Sequence, residues 1–331
     1  MNIWDGSEEV DVSAVRKTVH YYLDQRVSDP RARSLADNFR LMFPNMLIED
    51  LSHTVMPIGG RSRNPSFRVS VVPGDDRVEA LIIRAIRPDN ARENLAASVS
   101  DYFRDITQTL LTAGEAVYEI APLINSKTQS TDGFEFSFVP PGTVSYRWGK
   151  LVQYVPKHVA KDLGIGRYIP LSPETILRFY LPGALGRIWK NSMESLSILS
   201  GPTTPEFTLQ GGGGKLGKVP FDVSNFIKHR HYALADAAKG IGWNVRALIQ
   251  EECLEYYTLY RQLLFERTKI EIRNSLLETT NEDIKRIEDL LGIKAEIKIE
   301  GLPDLKNVEV AQTELINGNR QFKEIMAPFS I

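Results

Sequence analysis

The stretch at residues 211–218 is rich in glycine and is the strongest candidate for chemistry in this sequence. From Gly212 to Lys218 it satisfies the pattern G-x-x-x-x-G-K, in which backbone amides and a lysine hold phosphate groups. A working phosphate loop also needs a Ser or Thr hydroxyl to bind Mg²⁺, but Val219 stands there, and Pro220 removes an amide donor. We therefore interpret the stretch as a loop. A phosphate- or nucleotide-handling enzyme that uses Gly211–Lys218 is kept as an alternative.

His229 and His231 are two possible zinc ligands at positions i and i+2. That spacing presents both imidazoles to one side only on a strand, whereas the flanking residues predict a loop that enters a helix. Asp236 is the only acidic residue close behind them, so we expect a solvated basic edge. A second short motif, Gly164-Ile165-Gly166, resembles the start of a dinucleotide-binding fingerprint. It lacks the third glycine and is interpreted as a loop.

Two pairs of adjacent carboxylates are candidates for acid–base chemistry, Glu251/Glu252 and Glu282/Asp283. Adjacent residues on a helix point about 100° apart, so neither pair forms a couple by itself. Glu282/Asp283 stands where a predicted helix begins, a place that favours negative charge. Cys253 is the single cysteine, which excludes an internal disulfide, and its place on an apolar helical stripe predicts a buried, inert thiol. We expect no catalytic, cofactor-binding or metal-ligating residue.

Tyrosine and arginine residues alternate with acidic ones in a predicted long helix. The basic and aromatic members are Tyr256, Tyr257, Tyr260, Arg261, Arg267 and Arg273. Such a set can stack on and neutralise a nucleic acid. The acidic members dilute that charge: Glu251, Glu252, Glu255, Glu266 and Glu271. We therefore favour a core or interfacial helix over a nucleic-acid surface.

The overall composition is that of an ordinary globular protein. The 331 residues include 40 Lys or Arg and 42 Asp or Glu, a formal charge of −2 that disfavours a dedicated duplex-DNA binder. No apolar run approaches the roughly 20 residues that cross a bilayer. The first nine residues are acidic and lack the apolar segment of a signal peptide. We expect a soluble protein with no membrane partner, synthesised in the cytoplasm.

Apolar periodicity predicts the elements of the N-terminal half. We expect a helix over 12–23, a second helix from Pro30 that Pro44 ends, and a hairpin of strands 66–71 and 78–83. The clearest helix follows and ends at Gly114, with one apolar stripe formed by Leu95, Val99, Phe103, Ile106 and Leu110. Further strands are predicted at 116–123, 134–139, 144–148 and 151–155, and a further helix at 184–199.

The predicted fold class is α+β, a mixed α/β body with a mostly helical C-terminal part. We divide the chain into the α+β body at residues 1–200, a Gly/Pro-rich loop at 201–220, and a mainly helical part at 221–331. The loop has six glycines and three prolines. In the last part we expect a long helix at about 245–277. A second helix from about 281 to Gly292, a strand at 295–299 and a helix at 308–316 follow it.

Several segments in succession resemble tailed-bacteriophage portal proteins. The segment Ser100–Ile120, SDYFRDITQTLLTAGEAVYEI, is similar to a portal passage in which an apolar helix ends in a glycine before a short aromatic strand. Phe136–Val144 looks like the strand and proline passage of that family. Leu171–Phe179 is similar to the segment that precedes its chain-crossing helix, and Leu315–Ile325 resembles its late glycine turn and short helix. The resemblance covers residues 95–200 and about the last twenty, in a chain shorter than most portals.

The resemblance implies a structural protein of the virion without catalytic residues. It implies a wing-like body at residues 1–200 and a homo-oligomeric ring at a capsid vertex, through which double-stranded DNA is packaged and ejected. Its implied partners are other copies of the chain, the capsid protein, the terminase, neck or tail adaptor proteins and loosely passing DNA. A near-neutral charge suits such a channel, because DNA must slide through it. A non-catalytic intracellular scaffold protein is the remaining alternative.

Overall fold

The structure, a computed structural model, describes residues 12–14, 16–19, 42–57, 67–87, 94–125, 127–129, 131–200, 223–244, 255–291, 294–318 and 320–329. These residues form helices and antiparallel sheets, with a mainly helical C-terminal part. The predicted α+β class is confirmed.

The described helices and strands have the following bounds. The helices are α1 (Met42–Thr54), α2 (Asp76–Ile86), α3 (Leu95–Ala113), α4 (Lys157–Asp162), α5 (Gly183–Ser200), α6 (Val223–Ala237), α7 (Glu255–Leu291), α8 (Leu305–Asn317) and α9 (Phe322–Met326). The strands are β1 (Val12–Ala14), β2 (Arg68–Val72), β3 (Glu115–Asn125), β4 (Thr131–Val139), β5 (Val144–Arg147), β6 (Lys150–Tyr154), β7 (Tyr168–Pro170), β8 (Ile176–Tyr180) and β9 (Glu296–Glu300).

The chain divides into two compact units, and each is built from separate stretches of sequence. Unit 1 comprises the described residues before 35 together with those in 58–180 and 276–301. Unit 2 comprises those in 35–57, 181–275 and 302–331. Helix α7 contributes its first part to unit 2 and its last part to unit 1. The predicted division at 201–220 stays a prediction, because residues 201–222 lie outside the described ranges.

Unit 1 is organised around strand β3. This strand pairs antiparallel with β4, β8 and β1, so that Tyr118 lies opposite Phe138 on one side and Leu177 on the other. Helix α3 packs on the same strand, and its Tyr102 ring lies 5.6 Å from the Tyr118 ring and 6.4 Å from that of Phe179. These aromatic contacts bury the centre of the sheet and fix the position of the elements at its edges.

Helix α3 begins and ends where its sequence predicts. The side chain of Asn94 accepts a hydrogen bond from Ala97 N at 2.8 Å, which caps the N-terminus. Gly114 adopts a left-handed φ of 84° and donates its N–H to Leu110 O, so the helix ends there. All five residues of the predicted apolar stripe are buried. The helix predicted from its periodicity is confirmed.

A second sheet in unit 1 contains β5, β6 and β7. It is antiparallel, with Val144 opposite Gln153 and Tyr154 opposite Tyr168. One face carries Val144 and Leu151 into an apolar cluster with Val117, Val139, Leu171 and Ile176. Because side chains alternate along a strand, Arg147, Lys150, Tyr154 and Tyr168 share the opposite face.

Unit 2 is helical. Helix α1 packs against α5, and α5 against α6, while Phe43 N donates to Ser200 Oγ at 3.2 Å. The first part of α7 forms an apolar cluster with α8 and α9, whose buried members are Leu259, Leu263, Ile270, Val308, Ala311, Leu315 and Ile325. Gly318 ends α8 in a left-handed conformation, as a glycine after a helix commonly does.

The sequence predicted only part of the long helix correctly. Helix α7 has 37 residues and continues to Leu291, about 55 Å at 1.5 Å per residue, so the prediction that it ends near 277 is wrong. The separate helix predicted to begin at Asn281 is also wrong. The Asn281 side chain does not cap a helix but bonds the backbone of Ile297 in β9, through Ile297 N at 2.8 Å and Ile297 O at 3.0 Å. Residues 245–254 lie outside the described ranges.

Two predictions near the N-terminus are wrong because tertiary pairing outweighs local periodicity. Residues 12–14 form strand β1, which pairs with β3, and not the start of a helix. Residues 78–83 lie in helix α2, whose first turn is capped by Asp75 through a 2.8 Å bond from Arg77 N. The expected hairpin is therefore absent from the described residues, and β2 pairs instead with β9, Val71 opposite Ile297.

Proline 44 marks the start of a helix and not its end. Pro44 is the third residue of α1, where its missing N–H leaves no intrahelical bond unmade. Helix α1 itself was not predicted. The part of the expected Pro30 helix before Met42 lies outside the described residues.

Candidate functional site

The exposed face of the β5–β7 sheet carries a continuous row of stacked aromatic and arginine side chains. We call it the aromatic–arginine row: Arg147, Trp148, Tyr154, Arg167 and Tyr168. The guanidinium carbon of Arg147 lies 4.4 Å from the Tyr168 ring centroid and 5.2 Å from that of Trp148. Tyr168 lies 5.6 Å from both Trp148 and Tyr154, and Arg167 stands 5.4 Å from the Tyr154 ring. Each member therefore contacts at least one neighbour.

A two-residue turn places Trp148 at the tip of this row. Arg147 pairs with Lys150 across the β5–β6 hairpin, which leaves only Trp148 and Gly149 in the loop. Both have positive φ, 51° and 75°, as the tight turn between twisted strands requires. Asn and Gly favour this conformation, and a bulky tryptophan does not. The turn leaves the Trp148 side chain 78% exposed.

The sheet that carries the row is locally basic although the whole chain is not. Between Val144 and Pro170 the sequence has Arg147, Lys150, Lys157, Lys161 and Arg167 against the single acid Asp162. Among the described residues none of these five cations forms an ion pair. Arg167 instead donates to the Tyr154 hydroxyl at 2.9 Å, which raises the pKa of that guanidinium. The result is a charged surface that lacks internal compensation.

A buried carboxyl lies in the last part of α7. Asp283 is 1% exposed, and burial raises its pKa to about 7, although Arg286 opposes the shift from 3.4 Å and Glu282 adds to it. The Asp283 Oδ2, Tyr102 hydroxyl and Thr280 Oγ1 atoms are buried and have no hydrogen-bond partner among the described residues. Burial, with Tyr118 and Asp283 nearby, raises the pKa of Tyr102. The interpretation of Asp283 as a helix-start residue is wrong, since the helix is continuous there.

A cleft of about 690 Å³ opens elsewhere in unit 1. Its lining includes Glu174, Thr175, Thr131 and Arg286 among apolar side chains of β3 and β4. The Arg286 guanidinium also faces the Ile176 carbonyl oxygen at 3.4 Å. The lining has one acid and one base but no Ser, Cys or His nucleophile.

The arginines of α7 do not form the outward surface that a nucleic acid would need. Arg261 is 2% exposed and donates to Ala235 O at 2.7 Å and Trp243 O at 2.5 Å. Arg273 donates to Pro303 O at 2.5 Å, and burial lowers its pKa to about 10. Of the three arginines in the predicted set only Arg267 points to solvent, and it pairs with Glu271. Arg286, further along α7, is partly exposed and lies 3.4 Å from Asp283. These contacts favour the interpretation of α7 as a core or interfacial helix.

The other candidate residues are not brought together. His229 and His231 lie in α6, where i and i+2 point to different sides, so the prediction of a loop at these flanks is wrong. Gly164, with a φ of 65°, lies in a turn after α4. Cys253, Glu251/Glu252 and Gly211–Lys218 lie outside the described residues. Within the described part of the chain, no group of three or more His, Cys, Asp or Glu side chains is arranged to hold a metal ion, and no helix is long and apolar enough to span a bilayer.

No protein-family model matches the chain, and no curated protein matches it significantly. The portal resemblance of Ser100–Ile120 and the segments after it therefore depends on the residue pattern alone.

Sequence reasoning did not find the aromatic–arginine row. Strands β5 and β6 were predicted but β7 was not, and Tyr168 in β7 is the residue that joins Arg147, Trp148 and Tyr154 into one row. Two signals were present in the sequence. One is the five-to-one excess of basic over acidic residues in 144–170, and the other is a tryptophan before glycine at a hairpin turn.

Proposed function

We propose that the chain is a structural, portal-like subunit that assembles into a ring and lets phage DNA pass at a capsid vertex. The observation that carries the proposal is the passage α3–Gly114–β3. Residues 100–120 form an apolar helix, a left-handed glycine and a strand with a buried tyrosine, which is the order that the family resemblance requires.

A long helix supports the same proposal. Helix α7 extends about 55 Å, a length suited to packing against neighbouring subunits or lining an axial channel. Its exposed tyrosines, Tyr256 and Tyr257, keep more than two fifths of their surface accessible. In the proposed assembly the terminase, capsid protein and neck or tail adaptors dock on the ring, and double-stranded DNA passes without tight binding.

Exposed apolar side chains on unit 2 supply a surface for self-association. Ile198 is 80% exposed, Ile316 is 68% exposed and Val310 is 57% exposed. A ring closes through heterologous contacts, in which one patch meets a different patch on the next copy. Large aliphatic side chains that are left open in one copy gain most from such a contact.

The test is the size and shape of the assembled particle, with an interface variant and a matched control. Light scattering and negative-stain images should show rings of uniform size for the wild-type chain. We expect Ile316→Glu to reduce assembly, because it buries a charge at the contact. Gln108→Glu adds the same charge at an exposed position of α3 in unit 1, outside the proposed surface, and should leave assembly unchanged. A chain that remains a monomer at every concentration, with no rings in the images, would contradict the proposal.

A further inference from the structure

We propose that the aromatic–arginine row on the β5–β7 sheet binds single-stranded nucleic acid. The inference does not depend on ring assembly, since every residue it uses lies between Val144 and Pro170 of a single copy. It adds a binding site on the outside of the sheet to the loose passage of duplex DNA.

The row provides stacking partners for unpaired bases. The Trp148 indole projects from the turn with 78% of its side chain exposed, and it touches Tyr168 only edge-on, at 5.6 Å and 79°. Bases stack on aromatic rings whatever their sequence, because every base has a π face. Arg147 and Arg167 already lie over tyrosine rings, so they extend the stack as flat cations.

The surrounding charge matches a phosphate backbone. Lys150 shares the face with the row, and Lys157 and Lys161 project from the short helix that follows β6. All three are exposed and form no ion pair among the described residues. An anion that binds here therefore does not have to displace an internal carboxylate. The segment stays basic within a chain of net charge −2, so the attraction is local to this sheet.

The geometry favours a single strand over the two other anionic partners. In a duplex the faces of the bases are already stacked on each other, so an exposed indole gains nothing from them. An acidic peptide would be drawn by the lysines and arginines, but it has no use for a tryptophan held at the tip of the turn. Replacing Trp148 should therefore weaken the binding of a single strand, but not that of a duplex or an acidic peptide.

The experiment measures binding of a labelled twelve-nucleotide oligothymidine to the full chain by fluorescence anisotropy, at low and moderate salt. We expect micromolar affinity that falls as salt rises, because counterions are released from the strand. Trp148→Ala should weaken binding about tenfold or more, in the range measured for loss of one stacked base. Arg147→Ala should also weaken binding and reduce the salt dependence. Tryptophan emission should be quenched on binding in the wild type but not in Trp148→Ala, which keeps the other three tryptophans.

Matched controls come from unit 2. Tyr232 is 56% exposed and Arg187 is exposed. They lie on helices α6 and α5, and neither makes a ring or cation–π contact among the described residues. Tyr232→Ala and Arg187→Ala should bind as the wild type does. The proposal is overturned if the wild type fails to bind the oligonucleotide, or if Trp148→Ala binds equally well. It is also overturned if a duplex of the same length or an oligoglutamate peptide binds more tightly than the single strand.

Discussion

Gly242 stands so close to helix α7 that a Cβ added to it would lie 2.3 Å from the carbonyl oxygen of Arg261. The same Cβ would lie 2.5 Å from Leu264 Cβ and 2.6 Å from Phe265 N, and Gly242 has a φ of 78°. Arg261 in turn donates to the Trp243 carbonyl oxygen beside this glycine. The turn after α6 can approach α7 this closely because Gly242 has no side chain. The buried Arg261 guanidinium holds the turn there through its hydrogen bond to the Trp243 carbonyl oxygen.

Replacing this glycine should destabilise unit 2 strongly. Gly242→Ala combines the strain of a left-handed alanine with a clash against backbone atoms, and we expect a loss of about 3 kcal/mol or more in the free energy of unfolding. Gly318→Ala is the matched control, because Gly318 has a φ of 66° but open space around its Cα. It should cost only about 1 kcal/mol. Urea unfolding curves measure both, and equal losses would refute the close contact.

The Arg261 guanidinium should not be replaceable by an ammonium. It donates to Ala235 O, Trp243 O and Asn244 Oδ1, in directions that a planar fork can reach and a single nitrogen cannot. We expect Arg261→Lys to lower the free energy of unfolding by about 3 kcal/mol, since carbonyls and a charge are left buried without partners. Arg267→Lys, at an exposed i,i+4 pair with Glu271, should change it by less than about 0.5 kcal/mol. Similar values for the two variants would contradict this role.

Substitutions of Trp148 should affect the stability of the fold and the binding of the oligonucleotide differently. Trp148→Asn and Trp148→Ala both remove the indole, but asparagine tolerates the left-handed conformation better than alanine does. Thermal or urea unfolding should therefore find the asparagine variant more stable by about 0.5–1 kcal/mol. Both variants should lose oligonucleotide binding to the same extent. Tyr146 lies in a strand, so Tyr146→Asn should not be more stable than Tyr146→Ala. If it is, the difference between the two Trp148 variants does not report strain in the turn.

The buried carboxyl of α7 should make stability depend on pH. The pKa of Asp283 is raised from 3.8 to about 7 in the folded chain, so the folded state holds this proton more tightly than the unfolded state. Its contribution to stability is fully present below about pH 4 and is lost as pH rises to about 7, by at most about 4 kcal/mol.

Asp283→Asn removes that titration. The variant should unfold with nearly the same free energy as the wild type at pH 4, and should be more stable than the wild type at pH 8. Glu282→Gln, at the exposed neighbouring position, removes only the smallest of the contributions to that pKa, so a pH dependence of the same sign should remain. Chemical unfolding across this pH range measures the difference, and parallel profiles for wild type and Asp283→Asn would show that the carboxyl does not titrate as described.

Local sequence patterns correctly predicted the helices and strands whose structure depends mainly on their own residues. The apolar stripe and terminal Gly114 were enough for α3, and alternating residues with turn chemistry were enough for β3 to β6 and β9. The misassignments occur where a distant partner decides. The spacing of Val78, Ile82 and Ile83 is compatible with a strand or a helix. The strand that pairs with β2 is β9, and residues 78–83 are helical. Asn281 resembles a helix cap in the sequence, but in the structure its side chain accepts a hydrogen bond from Ile297 N in β9. The aromatic–arginine row depends on the pairing of three strands, so the basic excess in 144–170 could indicate the row but not its geometry.

The most direct test of the portal-like assignment is the mass of the assembled chain, measured by native mass spectrometry over a series of concentrations. A ring of about a dozen 37.3-kDa copies predicts one narrow species near roughly 450 kDa, with no ladder of intermediate sizes. A single 37.3-kDa species at all concentrations, or an open-ended series of oligomers, would contradict the assignment.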